Sequence, residues 1–397
     1  MIYIHVPFCR SFCTYCDFYS EIACRGKSAG VIARWADEIC AEIAARRQEI
    51  ESTLDLDTLY IGGGTPSVLP LSVLQQILDA INAVRAAADV QFAPLPGLSV
   101  RYDRFPEFTI EVNPEDIVER GPEYVRGLLD LGVNRISMGV QSLDDGILRW
   151  MNRRHSADGA RKAYGIIRSV AHGEGASQDL RHPRLRGGTA SAVGSSDCET
   201  VGEAPSPCTV SIDLITGVPG MTIDILEKTV EEILEWRPEH ISAYQLSIEE
   251  GSTLALMIER GEVQEQDEDC CREQYEFVCR RLAQAGYNHY EISNWAIPGH
   301  EALHNSAYWT RHPYAGLGPG AHSLIFYDDA GRPTGGAGPI QRRSWNSQSL
   351  SAWERDGETL TAEQIHEEEV MLLARTSRGP IPEKDWFIAD DIIPDLL

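Results

Sequence analysis

Six short apolar runs, each followed by a turn signal or a helical repeat, constrain this chain more than any other feature. They are Met1–Phe8, Leu59–Ile61, Phe108–Asn113, Arg135–Gln141, Val210–Ile215 and His240–Ser247. Each reads as a buried strand. Between them, apolar residues recur at helical spacing from about Ser28 to Glu51 (Val31, Ile32, Trp35, Ile39, Ile43), Leu71–Val84, Tyr124–Leu131, Ala157–Val170 and Ile223–Trp236. Strand and helix in strict alternation predict an α/β fold with a parallel sheet. An open sheet wound on both faces competes with a β/α barrel. Polar and glycine residues stand at the ends of five or six successive strands, where a barrel keeps its site, and this favours the barrel.

The first strand runs into Cys9–Cys16 (CRSFCTYC), a C-x₃-C-x₂-C loop. Three thiolates this close can grip one soft metal centre. A four-iron cube held by three cysteines keeps one iron without a protein ligand, open to a molecule carrying an amine and a carboxylate. A fragment of a zinc site is the alternative, but zinc normally completes its tetrahedron with a nearby Cys or His, and His5 is the only neighbour. A disulfide framework fits poorly in a chain of 397 residues with no secretory signal.

Other strand ends supply further candidates. Gly62–Thr65 (GGGT) after the second strand offers backbone that a ligand's amine can approach without meeting a Cβ; a plain turn reads the same way. Glu111 can accept hydrogen bonds from ribose hydroxyls, or cap a helix. Arg153 can fork onto a carboxylate. Asp213, between Ile212 and Leu214, needs a partner in so apolar a setting. His304 can ligate haem iron, with Tyr308 and Trp309 as flat apolar faces; a helix cap and core packing are the alternatives, and His322 and His289 compete as ligands.

The spacing of the cysteines and the flanking text Tyr3–Cys9 (YIHVPFC) and Tyr15–Phe18 (YCDF) resemble the radical-SAM superfamily, in particular its HemN/HemW group. Gly132–Ser142 (GVNRISMGVQS) and Asp213–Gly220 (DLITGVPG) extend the likeness, which runs from Tyr3 to about Arg378. It implies a partial (β/α)6 barrel over residues 1–254, with insertions at about 85–106 and 172–207, and a smaller α+β region over 255–397. It also implies a 4Fe-4S cluster on Cys9, Cys13 and Cys16. S-adenosylmethionine would be held by Tyr3, Tyr15, Gly63, Gly64, Thr65, Glu111, Gln141, Arg153 and Asp213.

Within the group, the oxygen-independent coproporphyrinogen III oxidases carry a further cysteine two positions past the third, where this chain has Phe18. Tyr290–Trp295 (YEISNW), His304–Trp309 (HNSAYW) and Gly316–Ser323 (GLGPGAHS) resemble the HemW branch instead. That branch implies a haem chaperone that delivers haem to acceptor proteins, with haem near His304, Tyr308 and Trp309. The oxidase reading, decarboxylation through a 5′-deoxyadenosyl radical, is the alternative, so whether the chain is an enzyme stays open. An electron donor such as flavodoxin or ferredoxin and peripheral contact with membrane proteins are further expectations. HemW-like chains usually run further past Arg375–Gly379 than this one, so its C-terminal region reads as shortened.

A formal net charge of −25 argues against nucleic acid, whose phosphates attract basic surfaces. Ten cysteines point to a reducing compartment, and no apolar run is long enough to cross a bilayer. The expected location is the cytoplasm, or an organelle matrix or stroma for a chain cut from a longer precursor.

Overall fold

The computed structural model describes residues 1–22, 29–88, 104–172, 208–350 and 352–397. The expected insertion at 172–207 lies outside them apart from its first residue, as does 89–103 of the other insertion. The flanks of that other insertion are packed into the fold: Arg85 belongs to the helix Leu71–Ala87 and is buried, and Phe105 is buried just before the strand Glu107–Val112.

All six strands form, at Ile2–Val6, Thr58–Gly63, Glu107–Val112, Arg135–Gln141, Thr209–Thr216 and His240–Gln245. They pair in sequence order and in parallel. Three strands from the later chain extend the sheet: Ala315–Leu317 lies parallel beside the first strand, and Asn294–Ala296 with Asn288–Glu291 lies antiparallel beyond the sixth. The sheet is therefore the open, partial form of a β/α barrel. Residues 255–397 supply both of its edges as well as a separate four-stranded antiparallel sheet.

Period-two alternation sorts each strand into two faces. Ile2, Ile4, Leu59, Ile61, Phe108, Ile110, Ile136, Met138, Val210 and Ile212 are buried in the main core with helix residues such as Trp35 and Ile39. The intervening residues are polar: Tyr3, Tyr60, Thr109, Glu111, Arg135, Ser137, Ser211, Asp213 and Ser242. These line two cavities on the other face.

The helical repeat expected to run to Glu51 breaks into Ala29–Ala45 and Arg47–Glu51. Arg46 at the break sends a buried guanidinium to the Gly316 carbonyl (2.5 Å) and Ser323 Oγ (2.9 Å), which ties the edge strand to the barrel. The helix Pro114–Asp130 begins well before Tyr124 and kinks at Gly121, whose φ of 70° suits glycine. Among the described residues no helix is long and apolar enough to cross a membrane.

Candidate functional site

A cleft of about 710 Å³ opens at the C-terminal ends of the six strands. Cys9, Cys13 and Cys16 line it together with Tyr15, Gly63, Gly64, Thr65, Glu111, Gln141, Arg153 and Asp213, so one cavity gathers residues from more than 200 positions of chain. The cysteine loop is fixed from outside itself. Thr14 N–H donates to the Met151 carbonyl (3.2 Å), Asn152 Nδ2 to the Phe12 carbonyl (2.7 Å), and Leu254 N–H to the Thr14 carbonyl (2.8 Å).

Cys9 Sγ lies 3.4 Å from Thr65 Oγ1, and Arg153 Nη1 lies 3.4 Å from Cys13 Sγ. Burial pushes the Cys9 thiol up and the Cys16 thiol up to about 12. These thiols hold their protons until a metal displaces them. Among the described residues no three His, Cys, Asp or Glu side chains are spaced to hold a single metal ion. Three cysteines that would each take a different iron of a cube need not converge on one point.

Glu111 stands on the cleft wall with Tyr60 donating its hydroxyl to Oε1 (2.7 Å) and the Gly63 N–H donating to Oε2 (3.0 Å). Burial raises its carboxyl to about 7 against the pull of Tyr60, and Asp213 adds to the rise. Each oxygen keeps a free lone pair for a ligand hydroxyl. Asp213 finds the partner its setting required in hydroxyls: Ser137 Oγ donates at 2.8 and 3.0 Å and Ser211 Oγ at 3.4 Å. Burial still raises its pKa.

A register shift at Gly139/Gln141, with Gln141 at φ 66°, re-aims the end of the fourth strand into the cleft. Gln141 Oε1 and Arg153 Nε are buried there without a hydrogen-bond partner. Two orphaned polar atoms on one wall fit a polar ligand with both donors and acceptors.

The glycines serve close packing. A Cβ on Gly63, whose φ is 105°, would lie 2.5 Å from the His5 ring, and one on Gly64 would lie 2.8 Å from the Val6 carbonyl oxygen. The glycine loop thus nests on the strand that leads to the cysteines: Gly64 N–H donates to the Val6 carbonyl and Thr65 N–H to the Phe8 carbonyl, both at 2.8 Å.

The remaining sequence candidates lie elsewhere. Tyr3 donates or accepts with His5 Nδ1 (3.0 Å) and lines a second chamber of about 190 Å³ behind the cleft. His304 and Tyr308 line the same chamber. His304 is 1% exposed, with Nδ1 on Thr58 Oγ1 (2.8 Å) and Nε2 on the Tyr308 hydroxyl (3.0 Å). Burial holds its pKa well below the ordinary value. Trp309, half-buried on the same short helix, has a buried indole N–H without a partner. The chamber is smaller than the ~300–1,000 Å³ typical of organic-ligand pockets, so a macrocycle reaches His304 only if this helix moves.

Sequence reasoning missed Tyr60, Ser137 and Tyr244, which line both cavities. For Tyr60 the strand position carried the signal, since it lies two residues before Gly62 on the same face of the strand; the bulge at Gly139/Gln141 hid the alternation that would point to Ser137.

A family model described as "Radical SAM superfamily" matches residues 3–172. "Heme chaperone HemW" of Mycobacterium tuberculosis is 30% identical over 390 residues, covering 95% of this chain and 82% of the relative. The protein of the same name in Lactococcus lactis is 30% identical over 382 residues, covering 96% and 83%. Among solved structures, coproporphyrinogen III oxidase (HemN) of Escherichia coli aligns with a TM-score of 0.64 at 18% identity, over 93% of this chain and 74% of that one. This last likeness speaks to the fold.

Proposed function

We propose, for a chain that belongs to the family of HemW haem chaperones within the radical SAM superfamily, that it binds haem and passes it to haem-requiring acceptor proteins. The observation that carries the cofactor part is the single cleft that joins three cysteines of one loop to Gly63, Gly64, Glu111, Gln141, Arg153 and Asp213. Cys9, Cys13 and Cys16 would hold the 4Fe-4S cluster. Glu111, Gln141, Arg153 and Asp213 would hold S-adenosylmethionine on its open corner. When bound, the cluster supplies single electrons, so a flavodoxin- or ferredoxin-type donor belongs to the reading, as does a cytoplasmic or organelle-matrix setting. Phe18, 64% exposed on the cleft, stands where the oxidases have a cysteine and favours the chaperone over the oxidase.

His304 is our candidate iron ligand. Thr58 Oγ1 can accept from Nδ1–H and so set the tautomer that leaves Nε2 for iron. The competitor at Nε2 is the Tyr308 hydroxyl. Tyr308→Phe should therefore tighten haem binding and His304→Ala should weaken it; the opposite order moves the ligand elsewhere. The function itself is tested by anaerobic reconstitution followed by two assays. Haem titration should show stoichiometric binding, and coproporphyrinogen III should not be consumed. Turnover of coproporphyrinogen without haem binding would overturn the chaperone reading.

A further inference from the structure

Behind the cleft wall, the carboxylate of Asp116 is fully buried in the first turn of the helix Pro114–Asp130. It does not line the cleft. Ser67 Oγ donates to it at 2.8 Å, Arg154 Nη1 at 3.2 Å, and Arg10 Nη1 lies 3.3 Å away. Each partner belongs to a different segment of the cofactor site. Arg10 lies between Cys9 and Cys13. Ser67 follows the glycine loop two residues after Thr65 and also accepts the Asn113 N–H (3.0 Å), so it fixes the helix start. Arg154 is the chain neighbour of Arg153, whose guanidinium faces Cys13.

We propose that Asp116 is a positioning residue that sets the cysteine loop, the glycine loop and Arg153 at their mutual distances through Arg10, Ser67 and Arg154. Its charge is what two guanidinium groups share. Removing it leaves Arg10 and Arg154 to repel each other, with the half-buried Glu115 and the exposed Glu119 to divide between them (Arg10–Glu119 2.5 Å, Arg154–Glu115 3.2 Å, Arg154–Glu119 3.6 Å). Buried carboxylates behind a ligand set orient the ligands, and their loss typically costs about 10–100-fold in affinity. The inference rests on the cleft's being the cluster and S-adenosylmethionine site.

The test uses the full reconstituted chain. Asp116→Asn keeps the shape and removes the charge; Arg10→Gln removes one arm from a partly exposed position. Asp57→Asn, which breaks the buried Arg85–Asp57 pair just before the second strand, at the end opposite the cleft, is the control for lost stability alone. Iron content, the change in the reduced cluster's electron-spin spectrum on adding S-adenosylmethionine, and the nucleoside's Kd are measured where each variant is folded. Asp116→Asn should retain iron but bind S-adenosylmethionine about tenfold or more weakly, with the spectral change reduced. Arg10→Gln should fall between it and wild type, and Asp57→Asn should match wild type. Wild-type-like Kd and spectra in both Asp116→Asn and Arg10→Gln, or an equal loss in Asp57→Asn, would overturn the proposal. If Asp116→Asn fails to fold, Arg10→Gln decides. A wild-type chain that takes up no cluster would instead sink the reading of the cleft.

Discussion

Glu111 ties ligand binding to pH, and the size of the effect follows from its surroundings. Burial lifts its carboxyl from 4.5 to about 7, while Tyr60 and the Gly63 N–H favour the charged form. Only the carboxylate accepts from two ribose hydroxyls at once. Roughly a tenth of the protein is ionised there at pH 6, half at pH 7 and nine-tenths at pH 8, so nucleoside affinity should rise about tenfold between pH 6 and pH 8. The sign reverses for stability. Between the unfolded value of 4.5 and about 7 the folded chain holds a proton that the unfolded chain has lost, so the empty protein loses stability as pH rises through that window, by about 3 kcal/mol at most. Glu111→Gln should therefore bind nucleoside weakly at every pH yet unfold at higher urea than wild type at pH 8. Calorimetric titration with 5′-deoxyadenosine suits the assay, because its amine-free ribose titrates nowhere in this range. A flat wild-type profile, or the same slope in Glu111→Gln, would refute the reasoning.

Three further outcomes are expected. Cys13→Ser should abolish the broad iron–sulfur absorbance after anaerobic reconstitution; a full four-iron signal in that variant would remove Cys13 from the ligand set. Gly64→Ala should prevent cluster uptake while the far side of the barrel stays folded, because its Cβ would meet the Val6 and Phe8 carbonyl oxygens at 2.8 and 2.9 Å in backbone that cannot yield; iron content and circular dichroism read the two parts separately. Asp57→Asn should lower stability by about 3 kcal/mol in urea unfolding of the empty chain, since it breaks a buried carboxylate–guanidinium pair.

The strands and most helices were legible because each has one apolar face of clear period. Arg135–Gln141 and Ile223–Trp236 form at the limits their patterns predict. What the later chain does was not legible. Ala315–Leu317 is three residues long and glycine-centred, too short to carry a period, and Arg46 at the break between two helices ties it beside the first strand. The start of the helix Pro114–Asp130 was obscured because Pro122 and Gly121 interrupt its repeat, although the Asn113 side chain caps it by accepting the Glu115 N–H (3.1 Å).

The candidate site divides along the same line. Most residues that would touch a cofactor sit at or just beyond strand ends, where position singles them out; Asp213 inside its strand and Arg153 after a helix are the exceptions. Residues that hold those in place, Asp116, Asn152 and Ser137, sit in turns, first helical turns and strand interiors, where the same side chains commonly cap or fill. Tyr60 shows what the sequence could not join. Its hydroxyl donates to Glu111 in the cleft, and its ring lies 5.3 Å from that of His304 in the chamber behind. One side chain is thus a wall of both cavities. A shift of the helix Leu303–Trp309 that exposes His304 would take away the ring beside Tyr60 and is expected to disturb its hydrogen bond to Glu111. Haem binding and nucleoside binding are therefore expected to be coupled through that ring: 5′-deoxyadenosine titrated with and without haem should give different affinities, and equal ones would refute the coupling.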